Sequence, residues 1–143
     1  LYAGQMVDKG TVTRSVLLGL AILGVSLLGL SMCRAVNARN AAIMPYFFLG
    51  VAVLCGLGFG TCFPSFNTLF INLATNSQRG TATSTYLTSW DVGLGIGILC
   101  GGVISEHFSF ASAYLIADIM VVASLVFFVG VVAPHYLRNK IGQ

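Results

Sequence analysis

The stretch "PYFFLGVAVLCGLGFGTCFPSFNTLFINL", Pro45 to Leu73, contains no charged residue and consists largely of apolar side chains. A helix needs roughly 20 such residues to cross the hydrocarbon core of a bilayer. Backbone N–H and C=O groups find no water inside lipid, so a spanning segment of this kind is expected to be helical. The stretch therefore predicts a transmembrane helix over residues 45–72. Tilt, interfacial ends and a kink at Pro64 would absorb its excess length.

Three further segments, one before and two after this stretch, have the same character. The chain is 57% hydrophobic and only 8% charged, whereas a soluble globular protein has about 25% charged residues. Strand-like alternation of polar and apolar residues is absent, which argues against a membrane barrel. We therefore predict an all-α, polytopic membrane protein with a single membrane domain and spans at residues 15–33, 45–72, 81–104 and 110–132.

The seven basic residues lie almost entirely between the predicted spans. With four crossings, five of them fall on one side and two on the other, and the positive-inside tendency assigns the larger group to the cytoplasm. We therefore expect a cytoplasmic turn at residues 1–14, a cytoplasmic tail at residues 133–143 and a location in a plasma membrane such as the bacterial inner membrane. The group of five is Lys9, Arg14, Arg79, Arg138 and Lys140, and the group of two is Arg34 and Arg39.

Enzymatic, cofactor and metal chemistry find no support in the sequence. The four cysteines form no CxxC pair and lie inside or at the edge of spans, where small packing residues are expected. The run "GLGIG" lies in mid-span and not between a strand and a helix, so it does not indicate a dinucleotide site. No nucleophile, base and orienting group occur together. The net charge of +3 lies between spans and does not indicate a nucleic-acid partner.

The third span carries two separate stripes when it is projected as a helix at about 100° per residue. One stripe combines aromatic residues with glycine, and the other is polar and centred on a carboxylate. Neither resembles a lipid-facing surface, so we expect protein or a cavity around much of this helix. The first stripe is Thr83, Tyr86, Trp90, Gly93, Gly97 and Gly101; the second is Ser84, Thr88, Asp91, Gly95 and Gly102.

Asp91 is the first candidate site residue, since intramembrane carboxylates usually face a cavity and serve transport. We expect it to bind substrate or a proton, with Ser84 and Thr88 beside it. The alternative is a packing role, with the carboxylate hydrogen-bonded to those hydroxyls or to a neighbouring helix.

Three other candidates each have more than one interpretation. Trp90 and Tyr86 could form aromatic walls against a substrate, or they could fill space beside the glycine stripe or mark the cytoplasmic interface of the membrane. Asn67 could reach a substrate, or it could bond the carbonyl freed near Pro64.

Close helix packing is expected at five glycines, because small side chains let helices approach: Gly56, Gly60, Gly93, Gly97 and Gly101.

Several of these motifs together resemble the major facilitator superfamily. "GQMVDKGTVTR" at Gly4–Arg14 is similar to its cytoplasmic turn signature, and "RGTA" at Arg79–Ala82 is similar to the arginine–glycine step before helix 5 or helix 11. The helix containing "GLGFGTCFP" at Gly56–Pro64 and the glycine-rich third span also fit. "GILCGG" at Gly97–Gly102 is similar to the antiporter signature, with Ile98 in place of proline, so antiport and symport both stay open.

The resemblance implies a transporter of twelve helices in two six-helix halves. The chain would supply helices 9–12, or alternatively 3–6, and Leu1–Lys9 would be the end of a preceding segment of a longer polypeptide. The resemblance also implies that the cytoplasmic residues Gly4, Asp8, Lys9, Arg79 and Gly80 hold the halves together in one state. Asp118, on a helix expected outside the cavity, would form a helix-to-helix hydrogen bond.

We therefore expect a secondary active transporter of a small solute that works by alternating access. Proton-coupled efflux is one form of this activity. Its expected partners are the solute, protons, the lipid bilayer and the missing amino-terminal helices of the same chain. The alternatives are a non-transporting four-helix subunit or anchor of a complex, and a small four-helix multidrug exporter. The exporter is weakened because the first span lacks an embedded glutamate.

Overall fold

Four long helices and short connections make up the computed structural model, which describes residues 12–139. Helix α1 is Val12–Arg39, α2 is Met44–Leu73, α3 is Arg79–His107 and α4 is Phe110–Phe127. A 3₁₀ turn, Asn76–Gln78, leads into α3, while α4 continues through a π turn, Phe128–Val132, into the short helix α5, Ala133–Asn139. Within residues 12–139 there is no strand.

The predicted fold class is confirmed. Each predicted span lies within a helix, or within α4 and its π turn for residues 110–132. Each of the four helical segments is long and apolar enough to cross a membrane. The helices run past the predicted spans because polar residues at their ends continue the same backbone hydrogen bonding. Pro64 lies inside α2, and the helix is continuous through it from Met44 to Leu73.

Short connections make successive helices antiparallel neighbours. Between α1 and α2, the Asn40 side chain accepts a hydrogen bond from the backbone N–H of Ala42 at 3.1 Å, which is a typical asparagine turn. Only Phe108 and Ser109 separate α3 from α4. The hydroxyl of Ser109 caps α4 by accepting from the N–H of Ser112 at 3.1 Å.

Helix α1 is the centre of the bundle. It packs most extensively against α2 and then against α4, whereas α3 touches α2 and α4 over shorter contacts. The buried core gathers on the α1, α2 and α4 side and continues into α5; it consists of Val12, Val16, Leu20, Leu23, Cys62, Leu69, Phe128, Ala133 and Tyr136. This arrangement leaves α3 as the least covered helix.

Glycines bring the backbones of α1 and α2 together. A Cβ atom added at Gly19 would lie 2.5 Å from Sγ of Cys62 and 3.3 Å from the carbonyl oxygen of Gly58. A Cβ atom added at Gly58 would lie 2.7 Å from Cγ of Leu23 and 3.1 Å from its backbone nitrogen. The two helices therefore approach each other at a distance that only glycine permits at these positions.

The π turn changes which side of the last helix is buried. The N–H of Ala133 bonds the carbonyl of Phe128, five residues back, and Pro134 immediately afterwards has no N–H to donate. Buried positions therefore step from Phe128 to Ala133 and then to Tyr136. The hydroxyl of Tyr136 accepts a hydrogen bond at 2.9 Å from Nδ2 of Asn72, which ties the end of α2 to α5.

Candidate functional site

The carboxylate of Asp91 lies near the middle of α3 and is exposed. It is twelve residues from Arg79 and sixteen from His107, or about 18 Å and about 24 Å along the helix at 1.5 Å per residue. Within residues 12–139 it accepts no hydrogen bond. The hydroxyl of Ser84 donates instead to the carbonyls of Gly80 and Thr81, both at 3.1 Å. Asp91 and Ser84 are therefore not hydrogen-bonded to each other among the residues described.

The two predicted stripes of α3 have different surroundings. Tyr86 is the one buried residue of α3, and Trp90 is half-buried, so the aromatic stripe is the side that meets the bundle. Ser84, Thr88 and Asp91 are all exposed. At about 100° per residue the polar stripe lies roughly 150° from the aromatic stripe. Asp91 therefore lies on the side of α3 away from its aromatic contacts with α2.

The aromatic stripe packs against one face of α2. The ring of Tyr86 lies 5.5 Å from that of Phe63 and 5.6 Å from that of Phe70, measured between centroids. Trp90 meets Phe63 edge to face at 5.1 Å and Phe59 at 6.1 Å. The hydroxyl of Tyr86 donates a 2.9 Å hydrogen bond to the carbonyl of Phe63. In the described part of the chain these two residues pack between helices, and their contact with a substrate stays a prediction.

Asn67 lies on the same face of α2. It falls between Phe63 and Phe70 at the helical spacing i, i+4, i+7, which places it on the side that meets α3. Its Oδ1 is buried and has no hydrogen-bond partner among residues 12–139. A bond to the carbonyl freed near Pro64 would have to be donated by the amide nitrogen Nδ2, and no such bond is present among residues 12–139. The Oδ1 atom of Asn67 is thus a buried acceptor without a partner among residues 12–139, on the face of α2 that meets Tyr86.

A Cβ atom built on any of the five glycines predicted for packing would meet nothing within 4 Å in the part of the chain that is described. Their packing role therefore stays a prediction that concerns helices outside residues 12–139. Gly19, Gly29 and Gly58 make the close approaches instead. The sequence feature that indicates the close contact of α1 is a row of small residues on one helical face. Ser15, Gly19 and Ser26 form this row, and all three are buried. The five glycines are Gly56, Gly60, Gly93, Gly97 and Gly101.

The whole chain, residues 1–143, matches the family model described as Major Facilitator Superfamily. The chain belongs to the major facilitator superfamily. It is 37% identical over 73 residues to an "Uncharacterized MFS-type transporter" of Pseudomonas aeruginosa strain LESB58, and equally to one of strain UCBPP-PA14. The matched residues are 51% of this chain and 18% of each relative, so the chain spans only a minor part of their length. No solved structure matches the chain.

Membership of the major facilitator superfamily and four membrane-spanning helices make this chain part of a multi-pass membrane protein. The predicted resemblance is thereby confirmed. Of the five cytoplasmic residues expected to hold the halves together, Arg79 and Gly80 are the first two residues of α3, and no atom of residues 12–139 lies within 4 Å of a Cβ built on Gly80. Gly4, Asp8 and Lys9 lie outside the described residues.

Asp118 is the second carboxylate inside a membrane-spanning segment. It is 6% exposed, on α4, and its Oδ1 is buried without a hydrogen-bond partner among the residues described. A Cβ added at Gly24 of α1 would lie 3.5 Å from that oxygen. Among residues 12–139 Asp118 forms no helix-to-helix hydrogen bond, so that bond stays a prediction, and its carboxylate fills a space left by the glycine. Asp91 and Asp118 thus have opposite environments, one exposed and one enclosed.

Proposed function

We propose that the full-length protein is a secondary active transporter of a small solute and that Asp91 faces its transport path. The observation that carries the proposal is a carboxylate at mid-height of an apolar, membrane-spanning helix that is exposed and has no partner among residues 12–139. The two six-helix halves of the superfamily would rock about the site and open it to each side of the membrane in turn.

The energetic argument concerns what can cover Asp91. A carboxylate facing lipid at the centre of a span costs about 2.5–3.5 kcal/mol even on insertion scales. Neither α1, α2 nor α4 covers Asp91, because its side chain is exposed within residues 12–139. The matched relatives extend far beyond the aligned residues, which are 18% of their length. Helices from the rest of the protein would therefore enclose Asp91, and the space between would be wet.

The polar stripe supplies suitable chemistry for such a path. The carboxylate could bind a cationic group of the solute or take up a proton. Ser84 and Thr88 lie one to two turns away on the same side of α3, and the oxygen of Ser84 keeps acceptor capacity while its proton bonds the backbone. Tyr86 and Trp90 anchor the opposite side of α3 to α2, which would hold the stripe in position.

The proposal further includes coupling of transport to protons, export of the solute from the cell, and a cytoplasmic position of residues 1–14 and 133–143. The distribution of basic residues supports the orientation, with Arg14 and Arg138 at one end of the bundle and Arg34 and Arg39 at the other.

Transport by the full-length protein in liposomes, with and without a pH gradient, tests the proposal. Asp91→Asn should abolish gradient-driven transport across a panel of candidate solutes. If Asp91 carries the proton, solute exchange without a gradient should survive; if Asp91 binds the solute, exchange should be lost too. Asp118→Asn is the matched control, because it removes another intramembrane carboxylate that lies in a helix contact. Unchanged transport and pH dependence in Asp91→Asn would refute the role of Asp91.

A further inference from the structure

A cavity lies at the end of the bundle where α1 ends and α2 and α4 begin. Its volume is about 350 Å³. Leu30 and Cys33 of α1, Met44 and Phe48 of α2, and Phe110 and Tyr114 of α4 give it apolar walls, and the side chain of Arg34 lines it. Asp91 and the rest of the polar stripe do not line this cavity, so it is separate from the proposed transport path.

Arg34 is the charged group of this cavity. It forms no ion pair with any carboxylate of residues 12–139, and no Asp or Glu lines the cavity with it. A guanidinium is always ionised and presents a planar fork of donors that matches phosphate oxygens. The charge of the cavity is therefore complementary to an anion, and its walls are complementary to hydrocarbon.

The depth of the cavity in the membrane restricts the kind of ligand that can reach it. It lies where three membrane-spanning helices start or end, which is the headgroup level of a bilayer. Tyr46, 76% exposed, lies at the same end, and tyrosines are enriched at that level. Phe48 and Phe110 are also exposed there and present apolar surface beside the arginine. Phospholipids combine a phosphate-bearing head with apolar chains at this depth, and an anionic phospholipid matches both the charge and the walls of the cavity.

We propose that this cavity binds an anionic phospholipid, with the phosphate diester paired to Arg34 and the upper part of an acyl chain against Leu30, Phe48 and Phe110. The site is independent of the transport proposal, because it shares no residue with the polar stripe. It would hold α1, α2 and α4 together at this end of the bundle, where buried core residues are few.

Lipid retention by the purified full-length protein tests this site. The protein is delipidated in detergent and titrated with phosphatidylglycerol, and bound lipid is measured by native mass spectrometry. Arg34→Gln should weaken binding by at least about tenfold, as expected for loss of a hydrogen bond between charged groups. Arg39→Gln is the matched control, because it removes the same charge five residues further along α1, at a residue that does not line the cavity. It should bind phosphatidylglycerol within about twofold of the unaltered protein, since exposed single charges contribute little.

Three further measurements test whether the ligand of the cavity is an anionic phospholipid. Phosphatidylethanolamine should bind more weakly than phosphatidylglycerol, because its ammonium group meets no acid in the cavity. Glycerol phosphate, which lacks acyl chains, should not displace the lipid. Phe48→Ala keeps every charge and should also weaken lipid binding. Equal losses in Arg34→Gln and Arg39→Gln, equal binding of the two lipids, or displacement by glycerol phosphate would each overturn the proposal.

Discussion

Replacing Gly19 by alanine should weaken the contact between α1 and α2. The new Cβ would lie 2.5 Å from Sγ of Cys62, 3.1 Å from the backbone nitrogen of Cys62 and 3.3 Å from the carbonyl oxygen of Gly58. The sulfur could rotate away, but the two backbone atoms belong to α2 and move only if the helices separate. Overpacking of this kind costs about 1–3 kcal/mol.

Gly50→Ala supplies the matched control for this cost. Gly50 lies in α2, and nothing lies within 4 Å of a Cβ added there. Both substitutions gain the same helix propensity, about 1 kcal/mol for alanine over glycine. The difference between the two variants therefore isolates the steric cost, and Gly19→Ala should be less stable than Gly50→Ala by about 1–3 kcal/mol.

The assay is reversible unfolding of the full-length protein in mixed micelles with increasing denaturing detergent, followed by far-ultraviolet circular dichroism. Gly58→Ala should behave like Gly19→Ala, because its Cβ would lie 2.7 Å from Leu23 and 3.1 Å from a backbone nitrogen. Equal free energies of unfolding for Gly19→Ala and Gly50→Ala would show that the helices do not approach as described.

Two other contacts and one buried acid give further predictions, all measured in the same unfolding assay. Tyr86→Phe removes the hydrogen bond to the α2 backbone and should cost about 0.5–1.5 kcal/mol, whereas Tyr46→Phe, at an exposed ring, should cost nothing measurable; equal effects would contradict the bond. Tyr136→Phe and Asn72→Ala should show a coupling of about 1 kcal/mol in a double-mutant cycle, because each removes one partner of a single hydrogen bond, and full additivity would argue against it. Asp118→Asn should raise the free energy of unfolding, because burying an amide without partners costs less than burying a carboxylate; a large loss of stability would mean that Asp118 has a partner outside the described residues.

The helical architecture follows from the sequence because lipid leaves the backbone few options. A stretch as long and uncharged as Pro45–Leu73 has to satisfy its own hydrogen bonds, so its helix and the three others were predictable. The ends were less predictable for α1, which continues to Arg39 beyond its predicted end at residue 33, whereas α2 begins and ends within one residue of its predicted bounds. The π turn was not predicted at all, although Pro134 is the residue that prevents regular hydrogen bonding there.

Helix contacts were predictable only where polarity or size is distinctive. The two faces of α3 follow from its sequence, and the aromatic side does meet the bundle at Phe63. Which glycines meet a neighbour depends on crossing angles and on which helix lies nearby, and periodicity specifies neither. For this reason Gly56 and Gly60 stood out in the sequence although Gly58, between them, makes the close contact with α1.

The two intramembrane acids show the same limit. Both are single carboxylates inside apolar segments, and the sequence predicts for each that a protein or aqueous environment must surround it. Their actual environments differ because α3 is at the edge of the bundle and α4 packs on α1. Only the packing distinguishes the enclosed Asp118 from the exposed Asp91.

Water access to position 91 tests the proposed role of α3 most directly. In a full-length protein that lacks the more accessible cysteines but keeps Cys62, which is buried, single cysteines replace Asp91 or Val92. These neighbours share a depth in the membrane but point about 100° apart around α3. A membrane-impermeant, cationic thiol reagent should label Asp91→Cys rapidly and Val92→Cys slowly, and transported solute should protect position 91. Equal labelling at both positions, or none at position 91, would contradict a transport path along this face.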